Sequence, residues 1–169
     1  MRLIPLLPLM LAAQPAAAQD PRFSPRAALE CLGANAGSPE ARACIGLSAS
    51  DCMETTPMGG TTIGMGFCLD AELSLWDGRL NAAYRDLMAQ NRARDAETRT
   101  YGGNAPPMAD ALRGMQRAWI AFRDARCDYE RSQWGGGTGG GPATYACLMQ
   151  MTGEQALYLE ATLQAAAAQ

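Results

Sequence analysis

Apolar positions recur along most of this chain at alternating intervals of four and three. Leu69, Leu73, Trp76, Leu80, Ala83 and Leu87 step by 4, 3, 4, 3 and 4. That spacing lays one apolar stripe along an α-helix and predicts a helix over roughly 66–100. Beyond Met88 the sequence turns polar from Gln90 to Thr100, so its last turns are expected to project into solvent. Gly102-Gly103 and Pro106-Pro107 end the element. A second stripe, Met108, Leu112, Met115, Trp119 and Phe122, predicts a helix over about 107–132. A third, Met149, Thr152, Ala156, Leu159 and Leu163, predicts one over about 143–166. Between these two lies QWGGGTGGGP at 133–142, whose six Gly in ten positions predict an irregular connection.

Upstream, Ser24-Pro25 and Ser38-Pro39 read as N-cap and first-turn pairs. They predict two short helices, about 25–32 and 39–48, with Gly33 closing the first. Residues 53–66 (METTPMGGTTIGMG) are turn-rich and expected to be irregular. The whole predicts an all-α fold: an antiparallel bundle of three long helices plus a short N-terminal helical hairpin. Composition agrees. There are 32 Ala and 18 Leu against 4 Ile and no Val, which favours helix over sheet. The same stripes suit a coiled-coil dimer, but the short loops favour packing within one chain, so a monomer is expected.

The first 19 residues, MRLIPLLPLMLAAQPAAAQ, carry a short positive region at Arg2, an apolar stretch from Leu3 to Ala13 and an A-x-A site at Ala16-Ala17-Ala18. This pattern reads as a signal peptide over 1–18, removed near Ala18, and places the product in the periplasm or outside the cell. No Cys stands at the cleavage point, so lipid attachment is not indicated. No second apolar segment is long enough to span a bilayer, so no membrane insertion is expected after the leader is removed. Residues 19–49 then form the short helical extension and 50–169 the main helical domain.

Export changes how the cysteines read. Cys31, Cys44, Cys52, Cys68, Cys127 and Cys147 are an even set, and an even set in an exported chain predicts three disulfides. Six cysteines allow fifteen pairings. The sequential one is expected, because each sequential pair brackets a Gly-, Pro- or Ser-rich turn. Neither a metal site nor a redox-active pair is expected, since there is no C-x-x-C and no His. The lack of His also excludes Ser-His-Asp and Cys-His catalysis. All 14 basic residues are Arg and the formal charge is −3, a poor match to nucleic acid. Met53, Met58 and Met65 read as packing residues rather than copper ligands. No cofactor is expected.

Three segments together resemble the lysozyme-inhibitor LprI-like family of bacterial secreted proteins. From Cys68 the chain carries Asp77, Leu80, Asn81 and Tyr84 in a C-x8-D-x2-L-N-x2-Y pattern. Gln116-Arg117-Ala118-Trp119 follows, then Arg123-Asp124 and Cys127. Last come the Gly-rich loop with Pro142, Cys147-Leu148 and Thr152. The resemblance covers about 50–163 and is similar to the family in its four cysteines, Cys52, Cys68, Cys127 and Cys147. The segment holding Cys31 and Cys44 lies outside that pattern. Relatives often carry Arg three residues after the Thr of the last motif, where this chain has Gln155. The resemblance implies a helical, disulfide-bonded exported domain that inhibits lysozyme.

Asp77, Asn81 and Tyr84 share one helix face, beside the apolar stripe. They are expected to form a polar seam with the next long helix, through an Asp77–Arg123 or Asp77–Arg117 pair. Asp124, Asp128 and Glu130 read as a solvated face rather than a glycosidase pair. In the Gly-rich loop, Trp134, with Arg131 beside it and Gly136 in the turn, is the candidate partner-binding group, since Trp and Arg are enriched at interface hot spots. The loop at 55–66 is a second candidate surface. The function these features support is a protein-binding module that inhibits a glycan-cleaving enzyme by loop occlusion. The alternative is a non-enzymatic periplasmic scaffold that binds an endogenous partner or cell-wall material.

Overall fold

The computed structural model describes residues 22–167. The expected leader lies outside the described residues. Among those described there are no strands, and the fold is all-α. The elements are α1 (Arg26–Ala34), a 3₁₀ helix (Pro39–Cys44), α2 (Leu47–Thr55), α3 (Thr62–Thr100), α4 (Met108–Ser132) and α5 (Gly140–Ala167).

Helices α3 and α5 run side by side in the same direction, and α4 runs back in the opposite direction against the pair. Near their starts, Gly66 of α3 lies against the Tyr145 ring of α5. Further along, Arg79 pairs with Glu160 at 2.9 Å, and Arg94 donates to the Ala166 carbonyl at 2.6 Å. Trp76, Leu80, Ala83 and Leu87 of α3 meet Met149, Ala156 and Leu159 of α5 in one core, as their stripes predict. Removing these side chains from water drives the packing, at about 1.5–3 kcal/mol for each large apolar group.

The N-terminal elements join the same core through Leu32, Ala41 and Cys44. Ile45 lies so close to Gly153 that a methyl group there would crowd it. A single helix over 39–48 does not form. Gly46 adopts a left-handed conformation (φ +95°) that breaks the segment into the 3₁₀ helix and α2. Within 53–66 the turn-rich expectation holds for 56–61 only, because α2 continues to Thr55 and α3 begins at Thr62. Thr61 caps α3, its hydroxyl accepting from the Gly64 backbone at 3.0 Å. Gly33 does not close α1, which runs on to Ala34 and is capped at Asn35.

The end of α3 does not project freely. Asn91 is buried, and the Asp95 carboxylate accepts from the backbone of Met108 and Ala109 at 2.8 and 3.0 Å. It thereby satisfies two free N–H groups at the start of α4, which opens on Pro107 without a side-chain cap of its own.

Three disulfides tie the fold: Cys31–Cys44, Cys52–Cys68 and Cys127–Cys147. The sequential pairing holds. Each bond joins neighbouring elements: α1 to the 3₁₀ helix, α2 to α3, and α4 to α5. The no-membrane expectation concerned the mature chain, and no described helix is long and apolar enough to cross a bilayer.

Candidate partner-binding groove

Leu112 is buried and Met115 and Trp119 pack against the core as predicted, but Met108 and Phe122 are exposed, so α4 is turned somewhat from its predicted face. The buried positions of α4 are Ala109, Leu112, Gln116 and Cys127, with Arg123 half-buried among them. Phe122, expected in the core, is 61% exposed. The Cys127–Cys147 bond fixes the inward face at Cys127. At 100° per residue that face runs through 109, 112, 116, 123 and 127.

Rotated this way, α4 presents Arg123 and Arg131 to a groove whose other wall is α3. One part, of about 300 Å³, lies among Leu73, Ser74, Asp77, Arg123 and Leu148. A second, of about 710 Å³, lies among Ile63, Phe67, Arg131, Gly136 and Tyr145. Asp70 borders both, so the two parts adjoin along α3. Ile63 is 83% exposed at the open end, with Phe67 and Tyr145 also exposed.

The structure brings four residues named from the sequence, Asp77, Arg123, Arg131 and Gly136, to this groove. It does not pair them as expected. Asp77 bonds neither Arg123 nor Arg117; it accepts from Asn81 Nδ2, one turn on, at 2.8 Å, and both residues are exposed. Arg123 lies over the Trp119 ring, 5.0 Å from its centroid, and donates to Asp124 at 2.9 Å. The polar seam forms elsewhere. Gln155 Nε2 donates to Gln116 Oε1 at 3.1 Å between α5 and α4, with both side chains buried. Gln155, which departs from the pattern the resemblance implied, is thus half of an amide pair. Leu80 is core, and Tyr84 packs against it.

Trp134 stands beside the groove rather than in it. It is 52% exposed, and one face of its indole rests on Gly139, where any β-carbon would overlap the ring. Gly135 and Gly136 turn the loop at φ +53° and +86°, conformations that favour glycine. Gly140 and Gly141 belong to α5, so the irregular segment is shorter than predicted. Asp124, Asp128 and Tyr129 lie on the outer surface of α4.

The 55–66 surface named from the sequence reaches the groove through Thr62, Ile63 and Gly66, whereas Phe67, Asp70 and Tyr145 were missed. A signal existed: 63, 67, 70, 74 and 77 step by 4, 3, 4 and 3 along one face of α3. Also missed was Glu72, which is fully buried. Its carboxylate accepts from the Gly46 and Ala49 backbones, each at 2.6 Å, and from Trp76 Nε1 at 2.9 Å. Among the described residues, no group of three or more His, Cys, Asp or Glu is placed to hold a metal.

The described residues make an all-helical module tied by three disulfides, with an open groove beside the Gly-rich loop. The family model described as lysozyme inhibitor LprI matches residues 52–159, and the chain belongs to that family. An uncharacterised 17.7 kDa protein in the puhA 5′ region of Rhodobacter capsulatus is 28% identical over 162 residues, 95% of this chain and 97% of that protein. An uncharacterised protein of Rhizobium meliloti (strain 1021) is 28% identical over 102 residues, 60% of this chain and 73% of the relative. No solved structure matches the chain. Cys31 and Cys44 fall outside the matched segment, as the resemblance implied.

Proposed function

We propose that this chain is exported through its N-terminal leader and inhibits a glycan-cleaving enzyme of the lysozyme class. The contact surface is the Trp134 loop together with the groove mouth at Ile63, Phe67 and Tyr145. One observation carries the reading: an exposed apolar mouth continues into a groove bordered by Asp70 and Asp77, next to a Trp braced from behind by Gly139. A braced aromatic loses little freedom on binding, which is what makes such a residue an effective anchor. The carboxylates suit a basic partner surface. Family membership supports the same reading, and three disulfides fit folding in an oxidising compartment.

The test is a cell-wall lysis assay in which the oxidised protein is titrated against lysozymes of different types. Saturable inhibition near one-to-one is expected. Trp134→Ala should weaken it by about tenfold or more, the effect of losing a hot-spot anchor. No inhibition of any lysozyme by folded, oxidised protein would overturn the reading and leave the scaffold alternative, to be pursued with cell-wall material.

A further inference from the structure

The same turn of α4 leaves its outer side uncovered by any other described element. Ala111, Ala118 and Ala125 follow one another at intervals of seven, and all three are exposed. Beside them Phe122 and Tyr129, also seven apart, are 61% and 66% exposed. Along one edge of this face stand Asp110, Arg117, Asp124 and Arg131, again at intervals of seven, alternating in sign and all exposed.

We propose that this face is a self-association surface, and that its occupant is the α4 of a second copy running antiparallel. The argument is complementarity of charge and size. In an antiparallel pair related by a twofold axis, the same edge of each helix meets itself in reverse order. Centred between residues 120 and 121, the pair sets Arg117 against Asp124 of the other copy, and Asp110 against Arg131. Symmetry doubles each contact, so every charge on that edge meets its opposite. The same register, within one residue, sets Phe122 against Ala118 and Tyr129 against Ala111, large groups over small ones. A parallel pair would instead turn the charged edge toward Phe122 and Tyr129, with no opposite charges to meet. Heptad spacing on the outer side of α4 therefore has a use that the intrachain core does not supply.

The test is sedimentation velocity of the oxidised protein over a concentration series, at low and high salt. A monomer–dimer equilibrium weakened by salt is expected. Arg117→Asp alone and Asp124→Arg alone should each weaken self-association about tenfold or more, since each creates two like-charge contacts. Mixing the two variants should restore it, because every pair in the mixed dimer is again opposite in sign. Phe122→Asp should abolish it. Neither Arg117 nor Phe122 borders the groove, so inhibition by the Arg117→Asp and Phe122→Asp proteins reports on the groove separately. A wild-type protein that stays monomeric throughout, or a dimer indifferent to these substitutions, would overturn the proposal. Single variants that weaken association without recovering on mixing would overturn the antiparallel register.

Discussion

Two carboxylates outside the sequence motifs hold helix starts that lack local caps. Glu72 supplies acceptors for Gly46 and Ala49 at the start of α2, and for the indole of Trp76. In Glu72→Ala two buried donors, the Ala49 N–H and the Trp76 indole, and the half-buried Gly46 N–H lose their acceptor. At about 1–3 kcal/mol for each buried unsatisfied group, the loss should reach at least about 2 kcal/mol in denaturant unfolding of the oxidised protein. A loss below about 1 kcal/mol would show that water replaces the carboxylate. Asp95 does the same for α4, and its hydrogen bonds from Ala109 and Met108 hold its pKa below the usual carboxylate range. The sign follows from the depressed folded value. The contribution is present above the unfolded pKa of about 3.9 and is lost as pH falls through the lower folded value. Asp95→Asn should be less stable than the wild type at neutral pH, and the gap should narrow as pH falls below about 4. A gap that stays constant across that range would assign the effect to shape rather than charge. Neither role was legible in the sequence. Capping is normally read from the residue preceding a helix, and these acceptors come from 26 and 13 residues away.

At the scale of elements, the sequence was most informative where packing follows a single apolar stripe. The α3 and α5 stripes predict their own burial because both helices meet the core along their length. The α4 stripe misleads at its ends: Leu112, Met115 and Trp119 meet the core, but Met108 and Phe122 are exposed while Gln116 and Cys127 turn inward. A disulfide to α5 and an amide pair with Gln155 outweigh hydrophobicity there. The Gly-rich loop was legible as a turn but not as a support for Trp134. Gly139→Ala tests that support. Its β-carbon would displace the indole, so acrylamide quenching of Trp fluorescence should increase while stability falls by only about 1–3 kcal/mol. If the braced Trp is the anchor, inhibition should weaken in parallel. Unchanged quenching would mean that the ring does not depend on Gly139.

At the scale of the whole molecule, charge decides how a partner is met rather than how the chain folds. With 17 acids against 14 Arg, the protein is a weak anion. Asp70 and Asp77 border the groove, but Arg123, engaged by Asp124, and Arg131 border it too, so the groove is no more anionic than the chain as a whole. A cationic enzyme would therefore be drawn by the net charge of the chain, and such steering acts on the rate of association. Raising salt from about 50 to 500 mM shortens the screening length severalfold, so the association rate should fall by several-fold while dissociation changes little. Stopped-flow mixing with a cationic lysozyme measures both. Asp70→Asn should flatten the salt dependence of association, because that carboxylate borders both parts of the groove. An association rate that ignores salt would remove the electrostatic component. Affinity would then rest on Ile63, Phe67, Tyr145 and Trp134, and alanine substitution of Ile63 would become the decisive comparison.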